Sequence, residues 1–396
     1  MATTYFNTRE VELAVQDESG YGSDPGAPAA GDFFKHTSRL HFTPEIARYF
    51  REEDGSVGQG SVLGVQDGRQ RCAVKIEVDA IPSGTGTTPP DIDLLLVNAL
   101  GSKLTGTANT TTAAGSSGTT LVLTAGGGAA SGIVAGMLFG VDVDATYGIE
   151  VRRCISIATD TVTMDAALST DPAISRDVYV GTTYKASFSA VGSLYLHQFI
   201  STVKHAVPGL ILPEYEIGVD YSGETAVVKQ SFSGMGKQEV IHSETRPTPT
   251  TTGDPLIPTK GYGFVGATRY CLAGQATLRT NNGRELRENE SCSLEPTGVK
   301  FTGNNGYTNV EQELHWLLST GDTDTAALRA SMMASAATPL SVIVQNGVIG
   351  GKIVAWATPK WVPLPETVEL DGEFGIKGAG RCIGTSGDDD VFLAYL

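Results

Sequence analysis

Two groups of carboxylates stand out as residues that could do chemistry. Glu214, Glu216 and Asp220 alternate with Tyr215, Ile217, Val219 and Tyr221, and Glu369, Asp371 and Glu373 alternate with Val368 and Leu370. On an extended strand residues two apart share a face, about 7 Å from one another at ~3.4 Å per residue. Paired carboxylates at such distances serve glycoside hydrolysis as acid and base. They equally suit a solvated sheet face or the lining of a polar channel. Glycosidases also need aromatic subsites, and the chain has only three tryptophans.

Other constellations are missing from the sequence. There is no G-x-S-x-G, no P-loop and no H-E-x-x-H. Ser83-Gly84-Thr85-Gly86 lacks the Lys-Ser/Thr that follows a phosphate cradle. The six histidines are scattered, and His36 and His41 straddle a turn. Asp388-Asp389-Asp390 lacks the bidentate Glu of a calcium loop. Five widely spaced cysteines (Cys72, Cys154, Cys271, Cys292, Cys382) form no C-x-x-C and read as buried free thiols. The chain is therefore expected to be no enzyme, with no cofactor and no metal.

The elements that must position the carboxylates are strands. Period-two alternation runs through Arg71–Ile81, Pro213–Tyr221 and Thr367–Glu373, with shorter candidates at Ala226–Phe232, Gly274–Thr280, Ser341–Gln345, Lys352–Trp356 and Val391–Leu396. Asn346-Gly347 reads as a two-residue hairpin turn, and Asp67-Gly68, Asn282-Gly283 and Asp371-Gly372 as further turns. Two helices are expected, Pro89–Leu100, stopped by Gly101, and Asp322–Ser335. His41–Arg69 reads as a long irregular loop, functional or disordered, holding an aromatic-basic knot, Arg48-Tyr49-Phe50-Arg51.

Composition changes at Thr105. Gly106–Gly132 is almost all Gly, Ala, Ser and Thr, as in a flexible junction. Short strands at Met137–Asp142, Gly148–Ile157, Thr161–Asp165 and Asp177–Val180 follow, so 105–184 reads as a small inserted all-β domain dividing 1–104 from 185–396. Thr245–Thr259, dense in Pro and Thr, reads as an exposed extended segment.

The 396 residues carry a net charge of −16, which disfavours gripping nucleic acid through its phosphates. No stretch approaches the ~20 apolar residues of a membrane helix. Met1–Glu10 lacks the basic-then-apolar pattern of a signal peptide.

With these residues in view, the chain resembles the tail tube (major tail) proteins of long-tailed bacteriophages. Gln16–Pro25, with Tyr21-Gly22-Ser23-Asp24-Pro25, looks like that family's opening strand and turn. Pro89–Gly101 looks like its single helix, Ser231–Gly236 like the end of a central strand, and Ser341–Leu396 like its closing strands. The resemblance covers 1–104 and 185–396, and 105–184 departs from it.

The resemblance implies a β-sandwich or barrel with one flanking α-helix, whose copies form hexameric rings stacked into a hollow tube. Such a subunit matures in host cytoplasm and ends in the virion tail. Its partners are other copies of itself, the tape-measure protein, the tail terminator and the distal tail proteins, with DNA passing in transit unbound. On that reading Glu214, Glu216, Asp220, Glu369, Asp371 and Glu373 are lumen candidates, where carboxylates repel phosphates within the ~8 Å Debye length. Arg48, Tyr49, Phe50, Arg51 and Tyr21, with the arm Tyr5–Pro25, are candidates for contact between rings. The insert is expected on the outside.

Overall fold

Period-two burial organises most of this chain. The computed structural model describes residues 11–37, 41–52, 62–144, 148–189, 191–200, 203–222, 226–251, 253–256, 261–288, 293–301, 306–317, 323–370, 373–384 and 389–396, and the fold they form is mainly β. Eight antiparallel strands make one continuous sheet. In chain order they are β1 (His41–Glu52), β2 (Val62–Asp79), β3 (Val203–Asp220), β4 (Lys229–Gly236), β5 (Gln275–Asn281), β6 (Asn309–Leu317), β7 (Lys352–Leu370) and β8 (Glu373–Cys382). In space the order is β1-β2-β4-β3-β5-β6-β8-β7. One face is apolar: Ile76, Phe232, Tyr215, Ile217, Leu278 and Leu314 are all buried.

A second layer covers that apolar face. It pairs Gly261–Val265 with Leu340–Ile349, then the first half of β7, Phe392–Tyr395, Thr182–Lys185 and Ser102–Thr105. Its inward residues, Val342, Val344, Val354, Trp356, Leu393 and Tyr395, join the same core. β7 belongs to both layers. It pairs with Leu340–Ile349 up to Trp361 and with β8 from Trp361 on. β3 is shared similarly, its first half pairing with Leu194–Ile200 and Val240–Ser243.

Helix α1 (Asp93–Leu100) packs into this core through Leu95, Leu96, Ala99 and Leu100, and ends at Gly101, whose N–H bonds the Val97 carbonyl. Its C-terminal carbonyls meet a buried cation: Arg284 donates to the carbonyls of Asn98 and Gly192, and Asn282 to those of Asn98 and Ala99. A cation at a helix C-terminus complements the dipole. The described residues hold two further α-helices, α2 (Gly127–Ser131) and α3 (Thr323–Met333), the latter seated by Leu328 and Met332.

Residues 110–180 build a separate six-stranded sheet whose core includes Leu121, Phe139, Val141, Val162 and Val178. The strands at Leu138–Asp144, Gly148–Ala158, Thr161–Met164 and Asp177–Val180 fall where the alternation put them. Gly106–Gly132 is no flexible junction. It supplies Thr110–Thr111, Thr120–Val122 and α2. Small residues serve there because the chain passes close to its neighbours: an added Cβ at Gly106 would meet Val180. The unit's outer residues Leu138, Ile149 and Val151 pack on Phe264, Ile343, Ile353 and Ala355 of the second layer. Gln345 bridges the seam, accepting from Val151 N at 2.9 Å and donating to Ile149 O at 2.8 Å. Beside it a buried Arg152–Glu150 pair (2.9 Å) lies under the Phe264 ring, 4.4 Å from its centroid.

Three further expectations need correcting. His41–Arg69 is no irregular loop, because its described residues form β1 and the start of β2, paired with each other. In the arm Tyr5–Pro25, offered as a ring contact, the described part begins with the strand expected before the Tyr21 turn. Val11–Asp17 pairs with Leu194–Ile200, with Leu13, Ala14 and Val15 buried. The turn near Asn346-Gly347 comes later, at Gly350-Gly351, where Ile349 pairs with Lys352. Gly347 (φ +93°) sits in a register shift, while Gly351 (φ +78°) takes the left-handed turn position. Thr367–Glu373 is not one strand, since the chain reverses between the paired Leu370 and Glu373. The Thr245–Thr259 segment has no helix or strand among its described residues.

Candidate functional site: a charged sheet face

The face of the eight-stranded sheet opposite the core carries charge in cross-strand rows. One row is Lys75, Ser233, Glu214, Asn281, Asn309. The next is Glu77, Ser231, Glu216, Arg279, Glu311, Arg381. A third begins Asp79, Lys229 and includes Glu313. Asp220 pairs with Gln275, and His315 with Lys377. Directly opposed residues share a face, so Glu214, Glu216 and Asp220 do lie together, on the polar side.

That side is not a wall of carboxylates. Glu216 takes both Nε (3.1 Å) and Nη2 (3.2 Å) of Arg279. Lys75 meets Glu77 at 2.8 Å, and Lys377 meets Glu313 at 3.1 Å. Arg381 stands 3.9 Å from Glu311. These contacts set the titration. The hydrogen bond to Glu216 raises Arg279, and that to Glu77 raises Lys75. Burial works against Glu313, but hydrogen bonds from His315 and Lys377 hold its carboxyl below the usual range. Opposed signs across neighbouring strands favour this register. A shallow hollow of about 870 Å³ opens between Lys75, Glu77, Glu216, Lys229 and Arg279.

The second carboxylate group does not come together. Glu369 pairs with Phe374, whereas Glu373 pairs with Leu370, so the two glutamates point to opposite faces of the β7–β8 hairpin. Asp371 lies outside the described residues.

Of the contact candidates, Arg48 and Tyr49 lie on β1, exposed, with Arg48 3.3 Å from Asp67 and Tyr49 65% exposed. Phe50 and Arg51 are also on β1, but their side chains are outside the described set. Tyr21 packs on its own chain, against Gly209 and under Lys237 Nζ, 5.4 Å from the ring centroid. Glu18 fixes that turn by accepting from Gly22 N and Gly209 N, both at 2.7 Å.

Sequence reasoning placed Lys75 on the polar side of Arg71–Ile81 with Glu77 and Asp79, but missed the other cations that share the face, Arg279, Arg381, Lys229 and Lys377. It also missed the apolar tips Leu364 and Phe374, 77% and 70% exposed. Trp316, Trp356 and Trp361 are all buried, so none lines this face as a sugar platform. Cys72, Cys154 and Cys382 are buried free thiols, Cys271 is exposed, and Cys292 lies outside the described residues. Among the described residues no three His, Cys, Asp or Glu gather as a metal site, and no helix is long and apolar enough to cross a membrane.

No family model matches the chain. Polyribonucleotide nucleotidyltransferases from Mycolicibacterium gilvum and Mycobacteroides abscessus are 33% and 35% identical to it over 107 residues, 27% of this chain. The chain spans only 14% of the length of each of these relatives, which establishes neither their family nor their activity for it.

Proposed function

We propose that this chain is a structural subunit of a bacteriophage tail tube, polymerising as stacked rings around a channel. The observation that carries this reading is the eight-stranded sheet with one charged face and two open margins. Among the described residues β1 pairs with β2 alone, and β7 beyond Trp361 pairs with β8 alone. Open edges are a hazard in a monomer. Joining them between neighbours makes a ring the stable state and turns the charged face into a continuous wall.

Pairing of opposite charges adapts such a wall to passing DNA. Its cations are held by carboxylates, as Arg279 is by Glu216. A phosphate must displace a carboxylate to reach them, so DNA gains little by stopping. The same wall would meet the tape-measure protein, and the terminator and distal tail proteins would close the ends. The 110–180 unit lies beyond the second layer, away from the charged face, and is assigned to the exterior.

Negative-stain microscopy with sedimentation velocity on the purified protein tests the reading. Long hollow cylinders are expected. Discrete single rings would make it a terminator-type virion protein instead, and a monomer at all concentrations would remove the proposal.

A further inference from the structure

Away from the charged face, an extended segment crosses a buried polar cluster. Val240–Ser243, the start of β3, Leu194–Ile200, Val11–Asp17 and Phe33–Phe34 lie side by side. One face of these strands joins the core through Leu13, Val15, Leu194, Leu196 and Val207. The opposite face carries two rows: His242, Lys204, Phe199, Glu12 and Val240, Ala206, His197, Ala14, Phe33. Its Phe33, Tyr195, His197, Phe199 and Lys204 are all buried. Residues 244–251 run across that face with no helix or strand of their own. Glu244 is ion-paired to Lys204, Arg246 meets Glu12 at 3.1 Å, and Thr250 N donates to Ala30 O at 2.9 Å.

The hydrogen bonds fix the state of His197. Gln16 Nε2 donates to Asp32 at 2.9 Å, so Gln16 Oε1 faces His197 Nε2 at 3.0 Å and accepts its proton. His197 Nδ1 is left bare, with no hydrogen-bond partner among the described residues. The charged and titratable groups around the ring are Lys204 from β3, Asp24 from the N-terminal turn and Tyr195 from its own strand. One row on stand Glu12 and His242, with Glu244 and Arg246 from the crossing segment. A proton added at Nδ1 would be buried, without an acceptor and beside the Lys204 ammonium. Such a charge is relieved by letting water in. The N-terminal turn resists, because Glu18 ties it to Gly22, Ser193 and Gly209. The 244–251 segment hangs on side-chain ion pairs and is the part that gives way.

We propose that 244–251 is an acid-released clasp, closed over the sheet while His197 is neutral and lifted when the ring takes a second proton. The lifted form bares Phe33, Tyr195, Phe199 and Lys204, an aromatic and cationic surface hidden at neutral pH. The two states fix the direction. With the clasp open the ring titrates near its ordinary 6.5, and with it closed burial, then Lys204, hold the ring down to about 4. Opening is therefore favoured as pH falls through that window, by up to ~300-fold in the ratio of open to closed. The clasp works in a single copy and does not depend on polymerisation.

Hydroxyl-radical footprinting of the full-length chain at pH 7 and pH 4, read at single side chains, tests it. Phe33, Tyr195 and Phe199 should oxidise about fivefold faster or more at pH 4, while Tyr215 and Phe232 of the main core stay protected. His197→Gln should keep the first three protected at pH 4. Glu244→Gln removes the charge that holds Lys204 and should bare the same three already at pH 7. An unchanged rate at pH 4, an equal rise in His197→Gln, or Tyr215 and Phe232 rising with the rest would overturn the clasp. Should His197→Gln fail to fold, Glu244→Gln decides: Tyr195 and Phe199 still protected at pH 7 in that variant overturn it as well.

Discussion

Single residues here show how burial and partnership decide a charge. Arg284 is buried with no carboxylate partner among the described residues. Its guanidinium serves the carbonyls of Asn98, Val191 and Gly192, and burial lowers its pKa to about 10. Arg284→Met should cost about 3 kcal/mol of stability in denaturant titrations, because those carbonyls lose their donor inside the protein. His197 is a second case. Burial, and then the nearby Lys204, lower its pKa to about 4, and its ring bonds Gln16 Oε1 at 3.0 Å. The unfolded chain therefore takes up a proton at His197 near pH 6.5, while the folded chain refuses it until about pH 4. Stability from this group is full above pH 6.5 and falls by roughly 3 kcal/mol down to pH 4. His197→Gln should flatten that part of the stability profile, measured by denaturation at several pH values.

Elements reveal what the sequence can and cannot express. Strands with one wet and one dry side announce themselves. Arg71–Ile81 and Pro213–Tyr221 both lie in real strands, β2 and β3, because one face of each meets the core. The β1–β2 arm is silent for the converse reason: both its faces meet solvent, so no alternation is required, and Pro44 is tolerated on an edge strand. Its length made it look like a loop. Likewise Glu216 could be read as acidic, but Arg279, which neutralises it, is 63 residues away in the chain. The sign of a sheet face is a property of register between distant segments, and no local pattern encodes it. At this scale the arm is also open to test. Tyr49→Ala with Phe50→Ala should leave a folded protein that no longer polymerises, seen as loss of cylinders under negative stain.

At the scale of the molecule, two layers and an added six-stranded sheet lean on one another. The seam between the added sheet and the second layer is largely apolar and bridged by Gln345. Gln345→Ala would strand Val151 N and Ile149 O and should destabilise the protein by about 2 kcal/mol. Limited proteolysis should then release the 110–180 unit faster than from the unsubstituted chain. The proposed polymerisation belongs to this scale too, because among the described residues each edge of the charged sheet pairs on one side only. The paired carboxylates of the charged face add nothing to the net charge of −16, which comes from acids in excess elsewhere, as on the β7–β8 hairpin, where 362–376 holds four acids and no cation.

The strands that lead into and out of the added sheet have a consequence for how this chain can be rebuilt. Thr105 and Thr182 face each other as a cross-strand pair, so the unit hangs from two points one strand spacing apart. A short turn could close that gap and excise the unit, or a foreign domain with adjacent termini could be spliced in its place. The splice would succeed only if Phe264, Ile343 and Ile353 were made polar or covered again, since the graft site is also a greasy one. The protein thus offers a socket for cargo whose wiring is permissive and whose seat is demanding.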